Sequence, residues 1–391
     1  MSTRAQTVRS EAPQSAADAA ELLHACARDA TAVRIAGAGT KPWGHPGASC
    51  GLTLATAGLD AIVEHNEGDL TAILQPGVTL RELDETLAAA GQMLALDPPL
   101  GAGDAATVGG AIAAADSGPL RHRYGAPRDL VLGVTVALSD GTVARAGGKV
   151  IKNVAGYDLA KLFAGSFGTL GVICEVAVRL HPRPPVQATA TGRSDDPAQL
   201  ARAADALSHS SLELQSLDVR WDDLARGAVL ARFGGIAAAQ QAAAAQALLE
   251  EVGVEAAVAE DDEQLWAAQR AAQRSAEGGA VVRVSGRASQ LADACVAAQV
   301  AGATLVGRAA LGVSWIALAP AAPGELVQAI ARIRKMLSPS PCVVLDAPAY
   351  VRSHLDPWDH PEDAALVLMR RVKARFDPTA TCNPAIFVGG I

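Results

Sequence analysis

Residues 147–180 read GGKVIKNVAGYDLAKLFAGSFGTLGVICEVAVRL, and their reading decides the fold. VICEVAVRL (172–180) is an apolar run rich in β-branched residues, which reads as a buried strand. Gly165, Gly168 and Gly171 stand just before it, and Asp158 is placed to start a short helix. Glycines set so densely between apolar runs weaken an ordinary core. They suggest backbone that passes close to something flat or phosphorylated, although the glycines alone leave that open.

Upstream, LVLGVTVAL (130–138) and TVARAG (142–147) form a hairpin around Ser139-Asp140-Gly141. Thr107 to Ala115 is a helix of small residues, and this second unit starts at Asp97-Pro98-Pro99. An earlier unit holds a helix over 15–30, the strand AVRIA (32–36), and two strands, IVEHN (62–66) and LTAILQP (70–76). A helix capped by Thr79, with Glu82 three residues on and Gly91 as its stop, closes that unit near Leu96. Downstream, HPRPP (181–185) reads as a linker, because three prolines in five residues continue neither sheet nor helix. Helices near 198–208, 236–252, 262–274, 287–300 and 323–337 then alternate with strands near 213–220, 228–233, 279–285, 303–307 and 312–318. That texture is an α/β domain of ferredoxin-like type with helices on one face, running to about residue 340. A tail from about 343 carries VVLDAPAYV, a helix near 361–376 and FDPTATCNP, and no tandem repeat is visible in the sequence.

The net charge of −8 supplies no basic field for nucleic acid. The most apolar stretch, Ala309 to Ala322, is too short to span a bilayer. The opening MSTRAQTVRSEAPQS lacks the apolar centre of a secretory signal, so a cytoplasmic location is expected. Six cysteines, at 26, 50, 174, 295, 342 and 382, form no CxxC pair, so neither a metal site nor an iron–sulfur cluster is expected in this chain. Reduced, mostly buried thiols are expected instead.

Gly37-Ala38-Gly39-Thr40 follows a strand directly, and such glycines let main-chain N–H groups converge on an anion. The loop lacks the GxxxxGK[ST] of a P-loop, and Pro42 stands where a Rossmann fingerprint needs its third glycine. It is therefore an ordinary turn or a dinucleotide loop of another type.

TVGGAIAAADSG, RYGAPRDLVLG, KNVAGYDL, GSFGTLGV and HPRP, between Thr107 and Pro184, together resemble the PCMH-type FAD-binding domain of the vanillyl-alcohol oxidase superfamily. More narrowly, KNVAGYDL followed by GSFGTLGV, with VVLDAPAYV, LDPW and MRRVKARFDP near the C-terminus, is similar to the FAD-binding subunits of bacterial glycolate oxidases. The resemblance is weakest between 185 and 340. It implies an α+β fold with a PCMH-type FAD-binding domain over 1–184, built of two α+β subdomains (about 1–96 and 97–184). An α/β ferredoxin-like cap over 185–342 and a C-terminal segment, 343–391, returning to the FAD domain complete it.

The resemblance also implies cofactor contacts. Gly37, Ala38, Gly39 and Thr40 match the loop around the FAD diphosphate. Pro98, Thr107, Gly109 and Gly110 match the second loop. Asp116 stands where many relatives have asparagine, with Gly118 after it, and Gly171, Val172 and Ile173 match a segment meeting the flavin or adenine. Thr40 stands where covalent relatives carry a histidine, so the flavin is expected to be held noncovalently. His45, nearby, is the weaker anchor. Ala36 and Ala38 replace glycines of the family loop, and Cys382 interrupts the family's tail segment. Lys152, Asn153, Tyr157 and Asp158 have a structural reading, with Asp158 as helix cap and Lys152 on the surface, and a functional one that puts Lys152 or Tyr157 at the flavin edge. Arg121, His122 and Arg123 could hold a substrate carboxylate or FAD phosphates, or lie in a solvated loop. Trp266 and Arg270, one helical turn apart, face the flavin or pack in the core.

Oxidation of a 2-hydroxy acid needs a base for the hydroxyl proton and cations for the carboxylate. The eight histidines are scattered, with no HxH or HxxxH pair and none of the HxGDGNxH-like motif of related D-2-hydroxy-acid oxidisers. No catalytic residue can be named, and no metal is expected. By resemblance the partners are a larger FAD-containing glycolate oxidase subunit and an iron–sulfur subunit, with a small 2-hydroxy acid as the substrate of the complex and the membrane reached only through partners. A stand-alone FAD dehydrogenase of another alcohol or hydroxy acid, and a non-redox structural subunit, remain as alternatives.

Overall fold

A computed structural model describes residues 8–149, 157–259, 261–360 and 363–391. Its N-terminal part holds two sheets. The first is small and parallel, in the order Arg9–Glu11, Leu52–Ala55, Val33–Ala36. The helix Ala16–Arg28 starts where the Ser15 side chain accepts from the Asp18 N–H at 3.1 Å. Its buried Ala19, Ala20, Leu23 and Cys26 recur at helical spacing and pack on Val33, Leu52 and Leu54.

The second sheet is antiparallel, in the order Ile62–Asn66, Thr71–Leu74, Val172–Arg179, Val131–Ala137, Val143–Gly147. The helix Leu80–Ala89 begins as read from sequence, with Thr79 Oγ1 accepting from Glu82 N at 3.1 Å. Strand 172–179 lies at the centre of this sheet and serves two cores. Val172 and Cys174 join the layer of Leu54 and Leu23, while Ile173, Val176 and Val178 pack toward Leu80, Leu83 and Leu87. A bulge opposite Thr135 and Val136 changes the parity between those sets. The strands at 62–66 and 71–74, expected with the first unit, belong to this second sheet, because Thr71–Leu74 pairs with Val176–Arg179. Hydropathy fixes a strand but not which neighbour it pairs with.

His181 and Pro182, read as linker, make a two-residue ladder with Gln92 and Met93. Proline is tolerated there because the pair is an edge that needs no further N–H donor.

Residues 187–344 form one eight-stranded antiparallel sheet. Its order is Glu255–Ala259, Gln187–Ser194, Gly227–Gly234, Ser216–Trp221, Thr304–Arg308, Val313–Leu318, Ala280–Ser285, Cys342–Val344. The first four strands, with helices Pro197–Ser208 and Ala238–Val252, follow the chain order βαββαβ; the last four, with Leu291–Val300 and Pro323–Leu337, repeat it. Two ferredoxin-like units are thus joined at the seam where Asp218 faces Arg308 and Trp221 faces Leu305. The strands at 187–194 and 255–259 escape sequence reading because QATATGRS and EAAVA are rich in alanine and poor in large β-formers. The four helices cover one face. Val281, Val306, Trp315 and Val343 line the other, which meets Trp43 and Ala114 of the N-terminal part and Trp358 of the tail. Fully buried Arg308 bridges the parts, donating to the Gly118 carbonyl at 3.0 Å and pairing with Asp218.

The C-terminal stretch runs back beside the first sheet. Val33 N donates to Thr381 O and Asn383 N to Val33 O, at 2.8 and 2.9 Å. Among the described residues no helix is long and apolar enough to cross a membrane.

Candidate functional site

Strand Val33–Ala36 delivers the loop Gly37–Thr40 into a cleft of about 490 Å³, a size typical of small-molecule and cofactor sites. Gly39 takes a φ of 69°, which favours glycine, and nothing lies within 4 Å of where its Cβ would be. Gly37 closes against the second loop, since a Cβ there would sit 2.7 Å from Thr107 Oγ1. No main-chain N–H from Gly37 to Thr40 donates to a described residue. Four adjacent donors of cleft-lining residues thus have no partner among the described residues, as an anion-binding loop requires.

Thr107 caps the short helix Val108–Ala113 by accepting from Gly110 N at 3.2 Å, and Gly109 N donates to Pro76 O at 2.9 Å. These amides are already engaged, so the second loop offers shape rather than donors. Gly109 permits the close approach, because a Cβ would lie 2.4 Å from that of Pro76. Ile35, Phe167, Ile173 and Ile386 add apolar wall.

Of the residues singled out from sequence, Gly37, Ala38, Gly39, Thr40, Thr107, Gly109, Gly110, Gly171 and Ile173 line this one cleft. The other four do not. Asp116 is buried behind the wall, with Oδ2 3.4 Å from Nζ of Lys41, which does line it. Gly118 is held in packing, where a Cβ would overlap the Asp97 carbonyl at 1.5 Å. Val172 points into the core on the opposite side of its strand from Ile173. Pro98 lines a separate cavity of about 440 Å³, shared with Arg183 and Arg270.

The weaker candidates also find places. Lys152 and Asn153 lie outside the described residues. Tyr157 is 92% exposed, and Asp158 pairs with Lys161 at 3.0 Å. Arg121 donates to Ser117, and Arg123 pairs with Glu213 at 3.6 Å. Burial and the Arg123 charge push the His122 imidazole below its usual range, and none of the three lines the cleft. Trp266 is a core residue that donates to Thr189 at 2.8 Å, and Arg270 pairs with Asp97 at 3.1 Å. His45 lines the cleft but has Nε2 3.1 Å from Asp356 Oδ1.

Sequence reasoning missed Lys41, Phe167, Arg352 and Asn383, all in the wall. Asn383 Oδ1 accepts from Ile35 N at 2.8 Å, and its Nδ2 donates to Phe167 O at 2.7 Å and Ile35 O at 3.3 Å. It ties the tail, the first strand and the GSFG turn together. The only signal was an Asn-Pro pair in a tail segment that Cys382 interrupts. Arg352 fixes the opposite rim through Gly44 O and Ala347 O at 2.9 and 3.1 Å. Arg274, bound to Asp346, donates to Thr40 O at 2.9 Å and anchors the loop to the cap.

A row of unengaged amides beside apolar walls suits a diphosphate joined to a flat ring, both of which FAD contains. The comparisons agree. Residues 11–147 match the family model described as FAD binding domain. The chain is 35% identical over 182 residues to the glycolate oxidase subunit GlcD of Bacillus subtilis, covering 46% of this chain and 38% of that protein. It is 38% identical over 165 residues to the glycolate oxidase subunit GlcE of Escherichia coli, covering 42% and 46%. It is 30% identical over 217 residues to a mitochondrial D-lactate dehydrogenase (cytochrome) of Kluyveromyces lactis, covering 54% and 37%. The matched stretch spans less than half the length of each of these relatives. Among solved structures, an alkyldihydroxyacetonephosphate synthase superposes with a TM-score of 0.69 at 15% identity, over 96% of this chain and 76% of that one. A chitooligosaccharide oxidase does so at 0.67 and 15%, over 95% and 89%. At such identities these two speak for the fold alone.

Proposed function

We propose that this chain, whose residues 11–147 match the FAD-binding domain model and whose cofactor is FAD, is the FAD-carrying component of a complex that oxidises a small 2-hydroxy acid, glycolate first, to the 2-oxo acid. When bound, FAD supplies the acceptor for the two electrons released as the C2–H bond breaks and the hydroxyl proton leaves. The chain's own residues do the holding. The amides of Gly37–Thr40 take the diphosphate, while Ile35, Phe167 and Ile173 shield the ring from water. Thr40 offers no histidine for a covalent bond, and His45 is turned to Asp356, so the flavin is held noncovalently.

The carrying observation is the free amide row in a cleft whose sequence relatives include two glycolate oxidase subunits and a D-lactate dehydrogenase. A larger flavoprotein subunit and an iron–sulfur subunit are the expected partners, and the electrons would pass to the latter. The full histidine-rich set of hydroxy-acid oxidisers is missing from the sequence, which favours a component over a stand-alone dehydrogenase.

The purified chain should show flavin absorption bands, and acid precipitation should leave the flavin in the supernatant. Glycolate should not bleach it rapidly unless the larger subunit is added back. A folded chain that stays colourless after incubation with excess FAD would overturn the reading. Rapid bleaching by glycolate of the chain alone would replace it with the stand-alone enzyme.

A further inference from the structure

The helix behind the cleft wall, Ala364–Phe376 in the C-terminal stretch, leaves an apolar and basic face uncovered. Its inner side is taken up by the protein. Leu366 packs in one cluster with Trp358 and Val388, and Phe167 of the cleft wall rests on that cluster. The Phe167 ring lies 5.0 Å from that of Trp358 and 5.3 Å from that of Phe387. Lys373 Nζ donates to the Thr169 carbonyl at 2.7 Å and to the Cys382 carbonyl at 2.9 Å. Thr169 stands between Gly168 and Gly171, both in the wall. The outer face of the helix is thus about one helix diameter, roughly 10–12 Å, from the cleft wall.

On that face Val367, Leu368 and Met369 are 54%, 58% and 37% exposed, and exposed Arg371 and Arg375 follow one and two turns on. Positions 364, 367, 368, 371 and 375 recur at helical spacing and form one stripe. A lone exposed leucine needs no explanation, but three consecutive apolar residues on a helix surface do. The helix has no acid from 364 to 376, in a chain whose net charge is −8. Among the described residues Arg371 and Arg375 make no ion pair. A helix lying on a membrane carries its apolar residues, aromatics among them, on one side and its cations on the other. Here both kinds share the outer stripe, and it holds no aromatic residue. A second copy in an isologous contact would set arginines against arginines. An acidic protein is complementary, and Met and Arg are residues that protein interfaces favour.

We propose that the outer face of Ala364–Phe376 docks an acidic electron-accepting protein, and that electrons leave the cleft across this helix. The inference rests on the functional reading above, because only a flavin in the cleft gives the docked protein something to accept. Two acceptor molecules take one electron each from FADH2 and two protons go to water, which restores FAD. The apolar residues at 367–369 are the dry centre of the contact, and Arg371 and Arg375 are its charged rim.

The test uses the FAD-loaded full chain and oxidised cytochrome b5, a small acidic one-electron acceptor. Binding to the oxidised chain is read by calorimetry, and reduction by the dithionite-reduced chain is followed anaerobically by stopped flow. Arg371→Glu combined with Arg375→Glu should lower both affinity and rate about tenfold or more, and added salt should lower them in the parent. Menadione, a small uncharged acceptor, should oxidise parent and variant at rates within about twofold of each other, because it needs no docking face. Arg332→Glu with Lys335→Glu makes the same charge change at exposed positions of the cap helix Pro323–Leu337 and should leave cytochrome b5 binding within about twofold. Leu368→Asp, a single exposed change, carries the test if the double variant does not fold. The proposal fails if cytochrome b5 neither binds nor is reduced, if the double variant keeps the parent's affinity and rate, or if the cap variant loses as much. Binding to phosphatidylglycerol vesicles that the double variant abolishes, with cytochrome b5 reduction unchanged, assigns the face to a membrane and also overturns it. A chain that takes up no FAD would instead sink the functional reading, and cytochrome b5 binding is measured on it all the same.

Discussion

Replacing Asn383 should cost stability and cofactor affinity together. Its amide makes three hydrogen bonds, at 2.8, 3.3 and 2.7 Å, to the two main-chain groups of Ile35 and to Phe167 O. At about 0.5–1.5 kcal/mol each they contribute roughly 2–4 kcal/mol. The residue also sits at φ 42°, where alanine is strained by about 1 kcal/mol relative to residues that tolerate the left-handed region. Asn383→Ala should therefore lose about 3–5 kcal/mol, a fall in Tm of about 6–15 °C at roughly 2–3 °C per kcal/mol. Ile35 and Phe167 line the cleft, so FAD affinity should drop with it. The orientation of the amide is testable too. Asn383→Asp keeps the acceptor for Ile35 N but turns an oxygen toward the Ile35 and Phe167 carbonyls, so it should be at least as damaging as alanine. Thermal melts with and without FAD, and fluorescence titration of the apoprotein, read both effects. A change below about 2 °C with unaltered FAD affinity, or an Asp variant that behaves like the parent, would refute the reasoning.

Four other outcomes follow from the geometry. Gly109→Ala forces a Cβ to 2.4 Å from that of Pro76 and should cost about 1–3 kcal/mol by overpacking, seen as a lower urea midpoint; an unchanged midpoint contradicts the close approach. Asp262→Ala strands the buried Arg232, whose Nη2 lies 2.6 Å from Asp262 Oδ1, and should cost about 3–5 kcal/mol; a loss under 1 kcal/mol would mean that the charge finds water. Burial pushes the Asp218 carboxyl up to about 6, so the native state holds that proton more tightly than the unfolded chain does. Its stabilisation is complete below about pH 4 and lost as pH rises through about 6, and Asp218→Asn should remove that slope; parallel Tm–pH curves for parent and variant would contradict it. In native protein at pH 8 a thiol reagent should modify Cys50 first, since it alone of the six cysteines is partly exposed, while Cys174 and Cys295 are pushed up to about 12 and Cys342 to about 11; simultaneous reaction of all six would mean that the cores open.

Local chemistry was legible wherever one residue decides an outcome. Thr79 and Glu82 announced a helix start, Ser139-Asp140-Gly141 a hairpin, and Gly37 to Thr40 a loop, either an ordinary turn or one that holds a dinucleotide. Pairing was not legible. Nothing in Thr71–Leu74 says that its partner is a strand 100 residues later, and nothing in Ser216–Trp221 says that it will meet Thr304–Arg308. The repeat of βαββαβ is absent from the letters because each half fills the same pattern with different small residues. In the cleft, glycines advertise themselves by density. Lys41 and Asn383 are single polar residues whose meaning depends on what the fold brings beside them, Asp116 in one case and Ile35 with Phe167 in the other. Gly118 and Val172 show the converse, since a residue within a shared motif can serve packing alone.

The stretch that passes from one ferredoxin-like half to the other is more than a tether. Its helix Glu263–Ala271 and the turn after it carry Gln269 to Asp218, Arg270 to Asp97, Gln273 to the Ser117 carbonyl and Arg274 to that of Thr40. The segment that makes one roof out of two copies thus also hangs that roof on the floor. The outer helices are free to drift in length and sequence, as loops and surfaces do. The crossover between the halves is not, because shortening it by a single turn would lift a wall of the cleft.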